Sequence, residues 1–115
     1  MAEFARNGFL KGLSPSDRRL LEPYATLVAL DHGKQLQEQH ERIEYVYFPL
    51  VGIISLLAVM KNGNEVEAAM IGASGASGIA VGLGRPLATS RATVQAQGSA
   101  LRISATNFRK PRDRA

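Results

Sequence analysis

Between Ala25 and Ile103 the chain sets short runs of β-favouring residues between turn signals every eight to twelve positions, and this rhythm rules out most architectures. "ATLVAL" runs into Asp31-His32-Gly33, a turn, and "KQLQEQ" alternates weakly after it. "RIEYVYF" alternates cleanly, placing Ile43, Tyr45 and Tyr47 on one face and Glu44, Val46 and Phe48 on the other. "GIISLLAVM" is apolar on nearly both faces, as a buried strand is. Asn62-Gly63 is a strong hairpin signal between strand-like flanks. "RATVQAQ" and "SALRIS" read as two further strands separated by Gly98. Many short strands of this kind close or roll into an antiparallel structure.

The ends of the chain are helical in pattern. "FARNGFLKGL" spaces Phe4, Phe9 and Leu10 loosely as a helix does, with Gly8 and Gly12 as weak points. In "LSPSDRRLLEPY", Ser14 is placed to cap, Pro15 to occupy the first helical position and Asp17 the reciprocal capping position. Leu20 and Leu21 are expected to face inward, with Pro23 ending the helix. "SATNFRKP" predicts a turn of helix capped by Ser104 and stopped by Pro111. The fold class is therefore mainly β, in the α+β sense, with helices segregated to the ends. The segments divide as 1–24 helical, 25–104 β-roll, and 105–115 the start of a helix with a basic tail.

With 115 residues the chain makes one domain with one core. It has no cysteine, which removes disulfides, thiol catalysis and cysteine-ligated metals and suits a reducing cytoplasm. The longest apolar run is too short to span a bilayer, and "MAEFARNGFLKG" lacks the apolar stretch of a signal peptide. A cytoplasmic protein without membrane contact is expected. The net charge of +4 is uneven: through Phe108 ten Lys/Arg face nine Asp/Glu, and the last seven residues supply the remaining +3. The basic character thus belongs to a terminus that reads as solvated.

The stretch "GASGASGIAVGLGRPLATSRATVQ" poses the functional question, because its glycines could cradle a phosphate or merely cross between strands. The spacing G-x-x-G-x-x-G-x-x-x-G-x-G is neither a dinucleotide fingerprint nor a Walker loop. By residue pattern alone it reads as a loop.

The order "LVALDHGKQL", "IEYVYFPLVGIISLLAVMKNGNEVEAAMIG" and "GASGIAVGLGRPLATSRATVQAQGSALRI" resembles the effector domain of Crp/Fnr-type bacterial transcription regulators. The resemblance covers roughly residues 7 to 108 and implies a double-stranded β-helix, or jelly roll, of the cyclic-nucleotide-binding kind, with a short helix in the Gly-rich crossing. In nucleotide-binding members a Gly-Glu pair opens that helix and an Arg starts the next strand. The helix N–H groups and the Arg hold the cyclic phosphate, and the Glu accepts from the ribose hydroxyl. Carried onto this sequence, the Gly falls on Gly78 and the Arg near Ser90-Arg91, while the Glu position is Ile79. Losing a hydrogen bond of that kind costs about 1.5–3 kcal/mol, so strong cyclic AMP binding is not expected. The candidate ligand-binding residues are Gly78, Ile79, Ala80, Ser90, Arg91 and Ala92, facing a cyclic nucleotide or another small anionic effector. A one-residue slip would turn Arg91 to the other face.

Such regulators continue into a long dimerisation helix and a DNA-reading helix-turn-helix, whereas this sequence reaches "NFRKPRDRA". The expectation is a sensory half, monomeric or weakly dimeric, without sequence-specific DNA binding of its own. One alternative is an interaction module with a non-functional pocket, favoured by Ile79. Another is a cupin-like metal enzyme. That needs several converging His and a carboxylate, and only His32 and His40 are present, in turns. His40, in "EQHER", stands where members of the family tend to place Gly. Glu65 and Glu67 share a strand face as solvated carboxylates do, and Ser74, Ser77 and Ser90 lack a nucleophile elbow or an evident base. No catalytic residue and no metal ligand is assigned, and the chain is read as a non-enzyme.

Overall fold

A computed structural model describes residues 2–113, with side chains through Arg109. After a 3-10 turn at Ala2–Arg6 come helices α1 (Gly8–Lys11) and α2 (Pro15–Leu21), then a second 3-10 turn at Glu22–Tyr24. Strands β1 (Thr26–Leu30), β2 (Gln35–Gln37), β3 (Tyr45–Val59) and β4 (Glu65–Ile71) follow. A short 3-10 helix at Ile79–Leu83, the crossing helix, leads into β5 (Arg91–Ser104) and α3 (Ala105–Asp113). The sheet runs in the order β1-β5-β3-β4, all antiparallel, with β2 also on β5; it rolls over without closing.

Local chemistry explains the helix ends. Ser14 Oγ accepts from the Asp17 N–H at 3.2 Å with Pro15 at the first helical position. Ser104 Oγ accepts from the Asn107 N–H at 3.2 Å, starting α3. Asn7 does more than cap α1. Its Oδ1 accepts from Leu10 N–H, and its Nδ2 donates to the carbonyls of Pro49 and Gly75 at 2.8 and 2.9 Å. A fully buried amide so satisfied fastens the N-terminal helices to both β3 and the crossing.

β3 and β5 are long because each serves two cores. Val46, Phe48, Leu101 and Ile103 pack with Phe4, Leu10, Val81 and Phe108 under the helices. Phe48 lies 5.8 Å from the Phe9 ring and 6.1 Å from that of Phe108. Tyr47, Ile54, Ala92, Val94 and Ala100 pack on one another inside the roll, with Leu30. In β3 the even positions Val46, Phe48 and Leu50 face the helices, yet Ile54 faces the roll interior. Register shifts between Pro49 and Ile54 turn the strand over, as bulges do. At this bend Gly52 has φ +98°, and a Cβ on Gly98 would lie 2.0 Å from the Val51 carbonyl oxygen.

The structure departs from the sequence reading in five places, the first being that the buried residues form two clusters, one under the helices and one inside the roll, where a single core was expected. "RATVQAQ" and "SALRIS" form one strand, because Gly98 lets β5 press against β3 instead of breaking it. Ile43 precedes β3 and joins the helix-side core, away from Tyr47, since alternation begins only at Tyr45. Leu20 is exposed, as the short α2 buries only Leu21. Pro111 does not stop α3, which runs to Asp113; proline forfeits one intrahelical hydrogen bond without ending the helix here. The basic side chains after Arg109 lie outside the described residues.

His40 has φ +70°, a left-handed conformation that glycine adopts freely. Replacing His40→Gly is expected to leave stability unchanged or raise it by up to ~1 kcal/mol, measured by urea denaturation. By contrast, Gly98→Ala should cost about 3 kcal/mol or more, because backbone must move to admit the methyl group. Gly33→Ala, at φ +83° with open space around it, should cost only about 1 kcal/mol.

Candidate functional site

The Gly-rich crossing is pinned at both ends. At its start Tyr47 and Ser77 exchange two backbone hydrogen bonds of 3.0 and 2.9 Å, and Gly8 N–H donates to Ala73 O at 2.6 Å. At its end Ile43 N–H donates to Pro86 O, Ala88 N–H to Glu41 O, and His40 N–H to Ala88 O, each at 2.8 Å. Between these anchors the crossing helix is bracketed by Gly78 and Gly84, both left-handed at φ +87° and +84°. A Cβ on Gly78 would lie 2.7 Å from the Tyr45 carbonyl oxygen, so only glycine lets the chain pass this close to β3. The apolar residues Ile79 and Val81 turn the helix onto the helix-side core, where Val81 is fully buried.

A hollow of about 130 Å³ lies between this helix and the sheet. Four of the six candidate residues line it: Gly78, Ile79, Ala80 and Ser90. Gln37 and Thr89 supply its other polar side chains, and Gln37 Nε2 donates to Ser90 O at 2.9 Å. Ile43, Leu56, Ala76 and Ala88 complete the wall. None of the lining side chains is charged. The volume is below the roughly 300–1,000 Å³ typical of ligand pockets.

The other two candidates lie elsewhere. Ala92 is fully buried inside the roll, and alternation therefore puts Arg91 on the opposite face of β5. There the Arg91 Nε donates to Glu38 at 3.1 and 3.2 Å, its Nη2 donates to Glu38 Oε2 at 3.0 Å, and its Nη1 donates to Glu65. The guanidinium joins the β2–β3 loop and β4 to the start of β5. Hydrogen bonding to Arg91 holds the Glu38 carboxyl below its ordinary range, and the Glu38 and Glu65 carboxylates raise Arg91. Because Glu38's folded value is depressed, its contribution to stability is present above the unfolded value and is lost as pH falls through the folded one.

Glu67, beside Glu65, accepts from the Ser55 hydroxyl at 3.1 Å, so neither carboxylate is idle. Burial raises the Tyr47 hydroxyl, partly offset by hydrogen bonding to Arg102, which also lies 4.1 Å over the Tyr45 ring. Among the described residues no group of three His, Asp or Glu converges as metal ligands. Gln37, Thr89 and Leu56 were not singled out from sequence. The weak alternation of "KQLQEQ" hid which face Gln37 takes, and a bulge between Gln35 and Gln37 sets it.

No family model matches the chain, and no curated protein matches it. Solved structures match it closely in shape. A candidate cyclic nucleotide binding protein from Ruegeria pomeroyi superposes with a TM-score of 0.82 at 18% identity, covering 99% of this chain and 50% of that one. The sensor domain of the transcriptional regulator DNR from Pseudomonas aeruginosa gives 0.78 at 18% identity, covering 97% of this chain and 75% of that one. The N-terminal domain of a transcriptional regulator from Streptomyces coelicolor gives 0.74 at 18% identity, covering 97% and 80%. The chain thus spans half the length of the first of these. No helix among the described residues is long and apolar enough to cross a membrane. The fold is the jelly roll of cyclic-nucleotide-binding domains, including sensor domains of transcription regulators.

Proposed function

We propose that this chain is a ligand-sensing effector domain of the Crp/Fnr type, not an enzyme, whose effector enters the hollow beneath the crossing helix. The observation that carries the reading is the shared core of that helix and α3. Val81 and Phe108 are both buried in the same cluster, against which Ile79 also packs. A molecule that favours one placement of the crossing helix therefore favours one placement of α3, which is the form a population shift takes. Sequence-specific DNA recognition is not assigned to the described residues. The chain itself is taken to be cytoplasmic and monomeric or weakly dimeric.

Gly78, Ile79, Ala80 and Ser90 are the proposed contact residues, with Arg91 and Ala92 supporting the strand behind them. Ile79 supplies no ribose acceptor, and Arg91 is occupied by two carboxylates. Cyclic nucleotides are accordingly weak ligands. A second reading, a structural or interaction module with a dead pocket, is favoured by the small volume of the hollow.

Cyclic AMP or cyclic GMP at 1 mM, tested by thermal shift, is expected to raise the melting temperature by less than about 2 °C. A dissociation constant above the ligand concentration contributes under about 0.4 kcal/mol. A panel of uncharged small molecules should contain a compound that stabilises the protein, moves the amide resonances of Val81 and Phe108 together, and loses its effect in Ser90→Leu. Stabilisation that survives Ser90→Leu, or a panel without effect, would favour the dead-pocket reading instead.

A further inference from the structure

A larger hollow than the one under the crossing helix, of about 310 Å³, adjoins it and shares Ile43 as a wall. It lies where α3 leaves the sheet, walled by the start of β3, the crossing helix and the first turn of α3. Its size falls within the range typical of small-molecule sites. Its lining combines apolar residues, Ile43, Val81 and Pro86, with two arginines, Arg42 and Arg109. Among the described residues neither has an ion-pair or side-chain hydrogen-bond partner, in contrast to Arg91. The Arg42 backbone is fixed beside the hollow by its β-bridge to Leu87, while its side chain is exposed. The positive end of α3, a nine-residue helix, adds to the same field. One carboxylate, Glu44, also lines the hollow, leaving a net charge of +1 among its three charged groups.

We propose that this second hollow is a binding site for a small organic anion, a carboxylate or phosphate ester, whose charged group is held by Arg42 and Arg109. An apolar body rests on Ile43 and Val81, and a hydrogen-bond donor on the ligand faces Glu44. The site is distinct from the candidate effector hollow, carries charged groups where that hollow has none, and touches both the crossing helix and α3. Paired guanidiniums recognise carboxylate and phosphate through charge-assisted, often bidentate hydrogen bonds, which a neutral cleft cannot supply.

Inorganic phosphate is the probe. Titrated into the full chain and followed by amide chemical shifts, it is expected to move Glu44, Ala105 and Thr106 saturably, while chloride at matched ionic strength does not. Arg42→Gln and Arg109→Gln should each weaken this binding by roughly tenfold or more, with an unchanged melting temperature certifying the fold. The proposal is overturned if chloride reproduces the shifts, if both variants bind phosphate as the parent does, or if the shifts centre on Gly78 and Ser90.

Discussion

The contact on which the rest of the molecule depends is the close approach of β3 and β5 where Gly98 faces Val51 and Gly52 adopts a left-handed backbone. Two long strands can serve both a helix-side core and a roll interior only if they bend and turn over together. That requires the backbones to come nearer than any side chain would permit. Upstream of the bend, Val46 and Phe48 hold the helices; downstream, Ile54 with Ala92 and Val94 fills the roll.

Electrostatics then divide the surface. Of the cations near the crossing, Arg91 is satisfied by the protein's own carboxylates, Glu38 and Glu65, and serves as a clamp joining three segments. A guanidinium so engaged is a poor host for an outside anion, because binding would have to displace partners already in place. Arg42 and Arg109 lie at the other hollow without such partners among the described residues. The chain thus places its neutral and its basic cavities on either side of one isoleucine.

Much of this was legible in the sequence. The hairpin at Asn62-Gly63 forms as read, with Met60 and Asn64 closing it at 2.8 Å, and the Ser14 and Ser104 caps stand where the pattern put them. The rolled β architecture followed from alternation and turn spacing. What alternation could not show is where it inverts. The bend that reverses the faces of β3 rests on backbone approach between residues far apart in sequence, and Gly98 read locally as a strand break for the same reason. The side on which Arg91 lies is a one-residue matter of register, and Glu38, 53 residues away, decides its partner. The residues of the basic hollow come from four separate stretches and share no local motif.

The anchoring of the crossing has a mechanical consequence. Because Ser77 is tied to β3 and residues 86–88 to the loop between β2 and β3 by backbone hydrogen bonds, the span from Gly78 to Gly84 lies between two fixed ends and is bounded by two left-handed glycines. Any displacement of the crossing is therefore confined to one short helical turn packed against the cluster that also holds Phe108 of α3, unlike a lobe swinging on a linker.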